Sequence, residues 1–105
     1  MTPPDVSVVM PVHDGQRWLS QAIDSILAQT HRDLELIVID DGSQDQTPAI
    51  LDSFVCRDGR VRVVTQAKLG IVAALNRGIA AAAAPLIARL DEWEEARDSG
   101  RMLSA

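Results

Sequence analysis

The feature that most constrains this chain is the alternation of two periodicities. Mostly apolar runs rich in Val and Ile, "VSVVMPV" (6–12), "LELIVID" (34–40), "VRVV" (61–64) and "LIARL" (86–90), alternate with stripes at helical spacing. Short apolar runs of this kind read as strands covered on both faces. Between the first two, Leu19, Ala22, Ile23, Ile26 and Leu27 fall at offsets 0, 3, 4, 7 and 8, the stripe of an amphipathic helix. Ile50, Leu51, Phe54 and Val55 give a shorter apolar face. Ile71, Val72, Leu75 and Ile79 give a third, in a helix expected over 70–84 and stopped by Pro85. Asp14 is the expected N-cap of the first helix, and Thr47 followed by Pro48 that of the second. Strands alternating with helices imply an α/β fold with a parallel sheet and helices on both faces. Right-handed crossovers, together with the double switch that would bring Asp40 and Asp91 to one crevice, give an expected strand order of 3-2-1-4 with the first strand central.

The 105 residues suffice for one domain, and with 47% hydrophobic but only 3% aromatic residues its core must be aliphatic. A net charge of -5 argues against non-specific nucleic-acid binding. The single cysteine, Cys56, cannot build a disulfide framework and is expected to be a small, semi-buried residue. The start, "MTPPDVS", lacks a basic stretch followed by an apolar one, so no signal peptide is read. The longest apolar run, 79–88, falls well short of the about 20 residues a membrane helix needs. A cytoplasmic location follows, at most peripheral to the inner face of a membrane.

In open parallel sheets, ligands bind beyond the carboxyl ends of the strands. Pro11, Val12, His13 and Asp14 follow the first strand; Asp40, Asp41, Gly42 and Ser43 the second; Gln66, Ala67, Lys68 and Gly70 the third; Asp91 and Glu92 the fourth. Such an acidic edge suits a metal ion, ribose hydroxyls or an imide N–H. Each residue also has a plainer reading. Asp40 and Asp41 suit a turn, Asp91 a helix cap, and Lys68, His13 and Asn76 solvated or structural positions.

Taken in order, "VSVVMPVHDGQRWLSQAIDSILAQTHRDLELIVIDDGSQDQT", "LGIVAALNRGIAAA" and "LIARLD" resemble the start of the family 2 inverting glycosyltransferases over about residues 5–91. The resemblance implies a Rossmann-like GT-A fold of the nucleotide-diphospho-sugar transferase type. The chain would transfer a sugar from a nucleoside-diphosphate sugar to an acceptor hydroxyl with inversion. It implies that Pro11 and Val12, with His13 and Asp14 beside them, line the nucleotide base. Asp40 would hydrogen-bond the base with Asp41 next to it, Lys68 and Asn76 would cradle the nucleotide, and Asp91 would hold the ribose. It further implies a divalent metal, Mg²⁺ or Mn²⁺, at Asp91, with Glu92 as the adjacent acid.

The sequence departs from that pattern at the fourth strand's end. The family reads Asp-Ala-Asp-Asp, whereas here Asp91 is followed by Glu92, Trp93 and Glu94, and Trp93 cannot ligate a hard cation. No acceptor segment or general base is read after it, so no catalytic residue is assigned. The expected division is 1–91 as the donor-nucleotide-binding half and 92–105 as an atypical segment, a truncated form of the family domain. Uncovered sheet edges in such a half lead to an expected homo-oligomer involving Trp93, Met102 and Leu103. The competing reading is a non-catalytic nucleotide-binding or assembly module on the same fold. A phosphoacceptor receiver domain is set aside, because it expects its acidic pair after the first strand. A nucleotidyltransferase would want a glycine-rich basic loop where "PVHDGQR" stands.

Overall fold

The structure is a computed structural model that describes residues 4–28, 33–83 and 86–89. In chain order it runs β1 (Val6–Val12), α1 (Leu19–Leu27), β2 (Leu34–Asp41), α2 (Thr47–Arg57), β3 (Val61–Gln66), α3 (Ile71–Ala81) and β4 (Leu86–Arg89). The strands form one sheet in order β3-β2-β1-β4, and every pairing is parallel. Both β1 and β2 are flanked on each side, which explains their nearly continuous apolar sequence. The expected topology holds.

Alternation along the strands sorts the core into two layers. Val8, Met10, Val12, Leu36 and Val38 face α1 and α2, packing with Leu19, Ile23, Ile26, Leu51 and Phe54. Val9, Ile37 and Ile39 face α3, meeting Ala74 and Leu75. Leu19, Ala22, Ile23 and Ile26 of the first stripe are fully buried, as its spacing requires.

The third stripe is a correction. Of the expected face only Leu75 is buried; Ile71, Val72 and Ile79 are exposed, and Ala74 and Gly78 are buried beside Leu75. The reason is close approach: a Cβ on Gly78 would overlap the Cγ1 methyl of Val9. The helix sits on its small residues because only they let its backbone reach the sheet. It also ends at Ala81, short of the 84 expected. Cys56 is a second correction. It is exposed, since α2 turns Leu51 and Phe54 inward and leaves position 56 on the outer surface.

A buried polar cluster holds the amino-terminal end of the sheet on the α3 side. Ser7 and Glu35 are register partners, and the Ser7 hydroxyl donates to Glu35 Oε2. The same oxygen accepts the Ala83 N–H at 2.7 Å. Arg62 Nη1 lies 2.7 Å from Glu35 Oε1 and donates to the Ala81 carbonyl at 3.1 Å. Burial opposes ionisation of Glu35, but the Ser7 hydroxyl, the Ala83 N–H and the Arg62 guanidinium together hold its pKa below the ordinary value. The cluster fastens the exit of α3.

Candidate functional site

The carboxyl ends of the three strands β1, β2 and β3 are level. Val12 pairs with Asp40, Asp40 with Thr65, and Asp41 with Gln66. The adjacent carboxylates therefore point to opposite faces of the sheet, and their environments differ. Asp41, on the α3 side, is 5% exposed. Its Oδ1 accepts from Gln66 Nε2 at 2.8 Å and from the Leu69 N–H at 2.8 Å; its Oδ2 accepts from the Gly70 N–H at 3.0 Å. The Gln66 amide and these backbone donors keep the Asp41 pKa low despite burial, with His13 adding a smaller electrostatic pull.

Asp40, on the α1/α2 side, is 2% exposed. Its Oδ1 accepts the Ser43 N–H at 3.0 Å, closing the turn after β2. Its Oδ2 meets no donor among the described residues. A buried carboxylate oxygen is stabilised by a donor, and leaving one without costs about 1–3 kcal/mol or more. Gly42 follows, with φ of 72°; a Cβ there would stand 2.8 Å from the Lys68 nitrogen. That contact brings the β3–α3 turn against the end of β2.

The loops after β1 and β2 are bonded to each other along their length. The Asp14 N–H donates to Ser43 Oγ at 2.8 Å, and the Gln44 N–H returns to Asp14 Oδ1 at 2.8 Å. The Gly15 N–H donates to Thr47 Oγ1 at 2.9 Å. The Gln16 N–H reaches Asp45 Oδ2 at 3.2 Å, and the Gln46 N–H reaches Gln16 Oε1 at 2.9 Å. His13 Nδ1 lies 2.8 Å from the Asp41 carbonyl, which can only accept, so Nδ1 carries a proton. Its Nε2 lies 3.3 Å from Asp14 Oδ2.

These contacts correct both expected caps. Helix α1 begins only at Leu19, and Asp14 is an inter-loop fastener in a left-handed conformation with φ of 49°. Thr47 is already helical and turns its hydroxyl to Gly15, while Asp45 Oδ1 takes the Thr47 N–H at 2.8 Å. Asp45, Gln16 and Thr47 were not read from the sequence as site-builders. The motif Asp-x-Thr-Pro was the available signal, but its bonding partner lies about thirty residues away in sequence.

The structure thus gathers Pro11, Val12, His13, Asp14, Asp40, Asp41 and Lys68 at one edge of the sheet. Asn76 is exposed within α3, with no hydrogen bond to the acids among the described residues. Asp91 and Glu92 lie outside the described residues, as do Trp93, Met102 and Leu103. Among the described residues no three metal-ligating side chains gather. Both Asp41 oxygens accept N–H donors, and one Asp14 oxygen accepts the Gln44 N–H.

The profile described as Glycosyl transferase family 2 matches residues 7–93, nearly the whole chain. The chain belongs to that family. It is 38% identical over 88 residues to the uncharacterized glycosyltransferase EpsJ of Bacillus subtilis (strain 168), covering 84% of this chain and 26% of that protein. The chain thus spans about a quarter of the length of that relative. Among solved structures it resembles the mannosyltransferase PcManGT from Pyrobaculum calidifontis in complex with GDP-Man and Mn²⁺. The TM-score there is 0.77 at 23% identity, covering 87% of this chain and 28% of that one. It also resembles glucosyl-3-phosphoglycerate synthase from Mycobacterium tuberculosis in complex with Mn²⁺, UDP and glucosyl-3-phosphoglycerate. That match has a TM-score of 0.66 at 28% identity, covering 84% of this chain and 33% of that one. The fold is GT-A, that of the nucleotide-sugar transferases, as the family resemblance implied. No helix among the described residues is long and apolar enough to cross a membrane.

Proposed function

We propose that this family 2 chain is the donor-nucleotide-binding part of an inverting glycosyltransferase. It binds the nucleoside diphosphate of an activated sugar at the carboxyl edge of its sheet. The observation that carries this is Asp40: a buried carboxylate with one oxygen fixed by Ser43 and the other meeting no donor among the described residues. An imide or amide N–H of a base supplies the missing donor, and a charged acceptor makes that bond stronger than a neutral one. Val12 is the register partner of Asp40, so the end of β1 lies directly beside that acid, and the inter-loop bonds hold the loop that follows in place.

Two likenesses support the reading: GDP-Man in the Pyrobaculum enzyme and UDP in the Mycobacterium enzyme. Transfer to an acceptor hydroxyl with inversion is proposed for the whole protein, with Asp91 and Glu92 as the residues proposed for a divalent metal. A bound metal would supply charge neutralisation for the diphosphate. Within this chain the residues bind, orient and shape the donor; no proton-transferring residue is assigned.

The test is an NMR titration of the chain with UDP and, separately, GDP. Saturable shifts of the Val12, Asp40 and Ser43 amides are expected for at least one. Neither nucleotide moving those amides would overturn the reading and favour a module that uses the fold for assembly.

A further inference from the structure

The acidic doublet divides its labour, and both Asp41 oxygens are committed to donors of the chain. Each of its bonds goes to the β3–α3 connection: Gln66 at the end of β3, then the Leu69 and Gly70 backbone just before α3. Gly70 has no side chain to cap the helix, and α3 has no side-chain cap of its own. Lys68, the only lysine in the sequence, is exposed in this turn, and its backbone nitrogen is the atom nearest a Cβ on Gly42. Turn and acid loop are therefore fitted to each other at the backbone.

We propose that Asp41 is a positioning residue that holds the 68–70 turn so that the Lys68 ammonium meets the diphosphate of a bound nucleotide, while Asp40 meets the nucleoside. The proposal rests on the nucleotide reading above. Its physical basis is that an ammonium on a flexible stem gains from a fixed backbone origin. Three N–H donors also spread the Asp41 charge, so the anion behind the turn repels a phosphate less than a bare carboxylate would.

Two measurements on the full chain judge it. The first needs no ligand: amide hydrogen exchange in wild type and Asp41→Asn. The amide of Asn puts a donor against one of the N–H groups Asp41 now accepts. Protection of Leu69 and Gly70 should fall by about tenfold or more, with the Val8 and Ile37 amides unchanged, as for the local opening of one connection. Unchanged protection at Leu69 and Gly70 overturns the clamp.

The second compares uridine with UDP. Asp41→Asn should weaken UDP about three- to tenfold and leave uridine unaltered, the size of losing one ill-placed surface charge contact. Lys68→Ala should weaken UDP similarly and add nothing in the Asp41→Asn background. Equal losses for uridine and UDP, or additive losses in the double variant, overturn the positioning role. If Asp41→Asn does not fold, Gln66→Met removes one donor at similar volume and should show the same pattern at smaller amplitude. A wild-type chain binding neither ligand would overturn the nucleotide reading and the diphosphate role with it; the exchange result then judges the clamp by itself.

Discussion

Glu35 and Asp41 lie on the same face of β2, and each grips one end of α3. They are six residues apart, about 20 Å along a strand, and the 11-residue helix between their attachments is about 16 Å long. Glu35 takes the Ala83 N–H after the helix; Asp41 takes the Leu69 and Gly70 N–H groups before it. Both carboxylates are held below their ordinary pKa: against the cost of burial, Glu35 by the Ser7 hydroxyl with the Ala83 N–H and Arg62, and Asp41 by the Gln66 amide with the Leu69 and Gly70 N–H groups. The strand thus fixes the position of the helix through charge, while Gly78 against Val9 fixes its distance.

This pair sets an acid limit on stability. A carboxylate with a depressed folded pKa stabilises the fold above its unfolded value and stops doing so as pH falls through the folded one. With ordinary values of 4.5 for Glu35 and 3.8 for Asp41, stability should be flat at neutral pH and decline below about pH 4.5. Thermal melts from pH 7 to pH 3 should show that decline, and Glu35→Gln should make it shallower by lowering stability at pH 7. A variant that melts in parallel with wild type throughout would contradict the assignment.

Gly78→Ala brings two opposed effects. Alanine in a helix is favoured over glycine by about 0.8–1.0 kcal/mol. The new methyl, however, overlaps a fully buried, β-branched valine with no flexible end to yield. Overpacking of that kind costs typically 1–3 kcal/mol, so the net change should be destabilising. Urea midpoints for wild type and variant check the sign.

Thr47 is fully buried and accepts the Gly15 N–H. Thr47→Val keeps its shape and leaves that donor unsatisfied, which should cost about 1–3 kcal/mol. Thr47→Ser keeps the hydroxyl and should recover most of the polar loss, leaving the smaller cost of a missing methyl. Equal destabilisation by both would show that packing, not the inter-loop bond, is what Thr47 supplies.

The fold was legible because each strand announces itself. In β1 the run ends at Pro11 and Val12, and the structure keeps the expected bounds of that strand. The order followed from crossover handedness together with the double switch that would bring Asp40 and Asp91 to one crevice. The site was legible only as a neighbourhood. Period-two alternation puts Asp40 and Asp41 on opposite faces, but nothing local says that Leu69 and Gly70 donate to one and not the other. Asp14 and Thr47 looked like caps because capping is a short-range pattern; their true partners lie in a different loop. The stripe of α3 misled for a related reason, since large apolar residues normally mark the buried face and here a glycine sets the contact.

The central claim is that Asp40 carries the base. Its most direct test is the dissociation constant of UDP and GDP for wild type and Asp40→Asn, measured at one salt concentration. Asparagine preserves the shape and, through its carbonyl oxygen, the Ser43 bond, but it lacks the charge and presents an N–H where an acceptor is needed. For the nucleotide that wild type binds, the account predicts an affinity loss of about 1.5–3 kcal/mol, roughly 10- to 150-fold, with the fold intact by circular dichroism. An unchanged dissociation constant in a folded Asp40→Asn would contradict it.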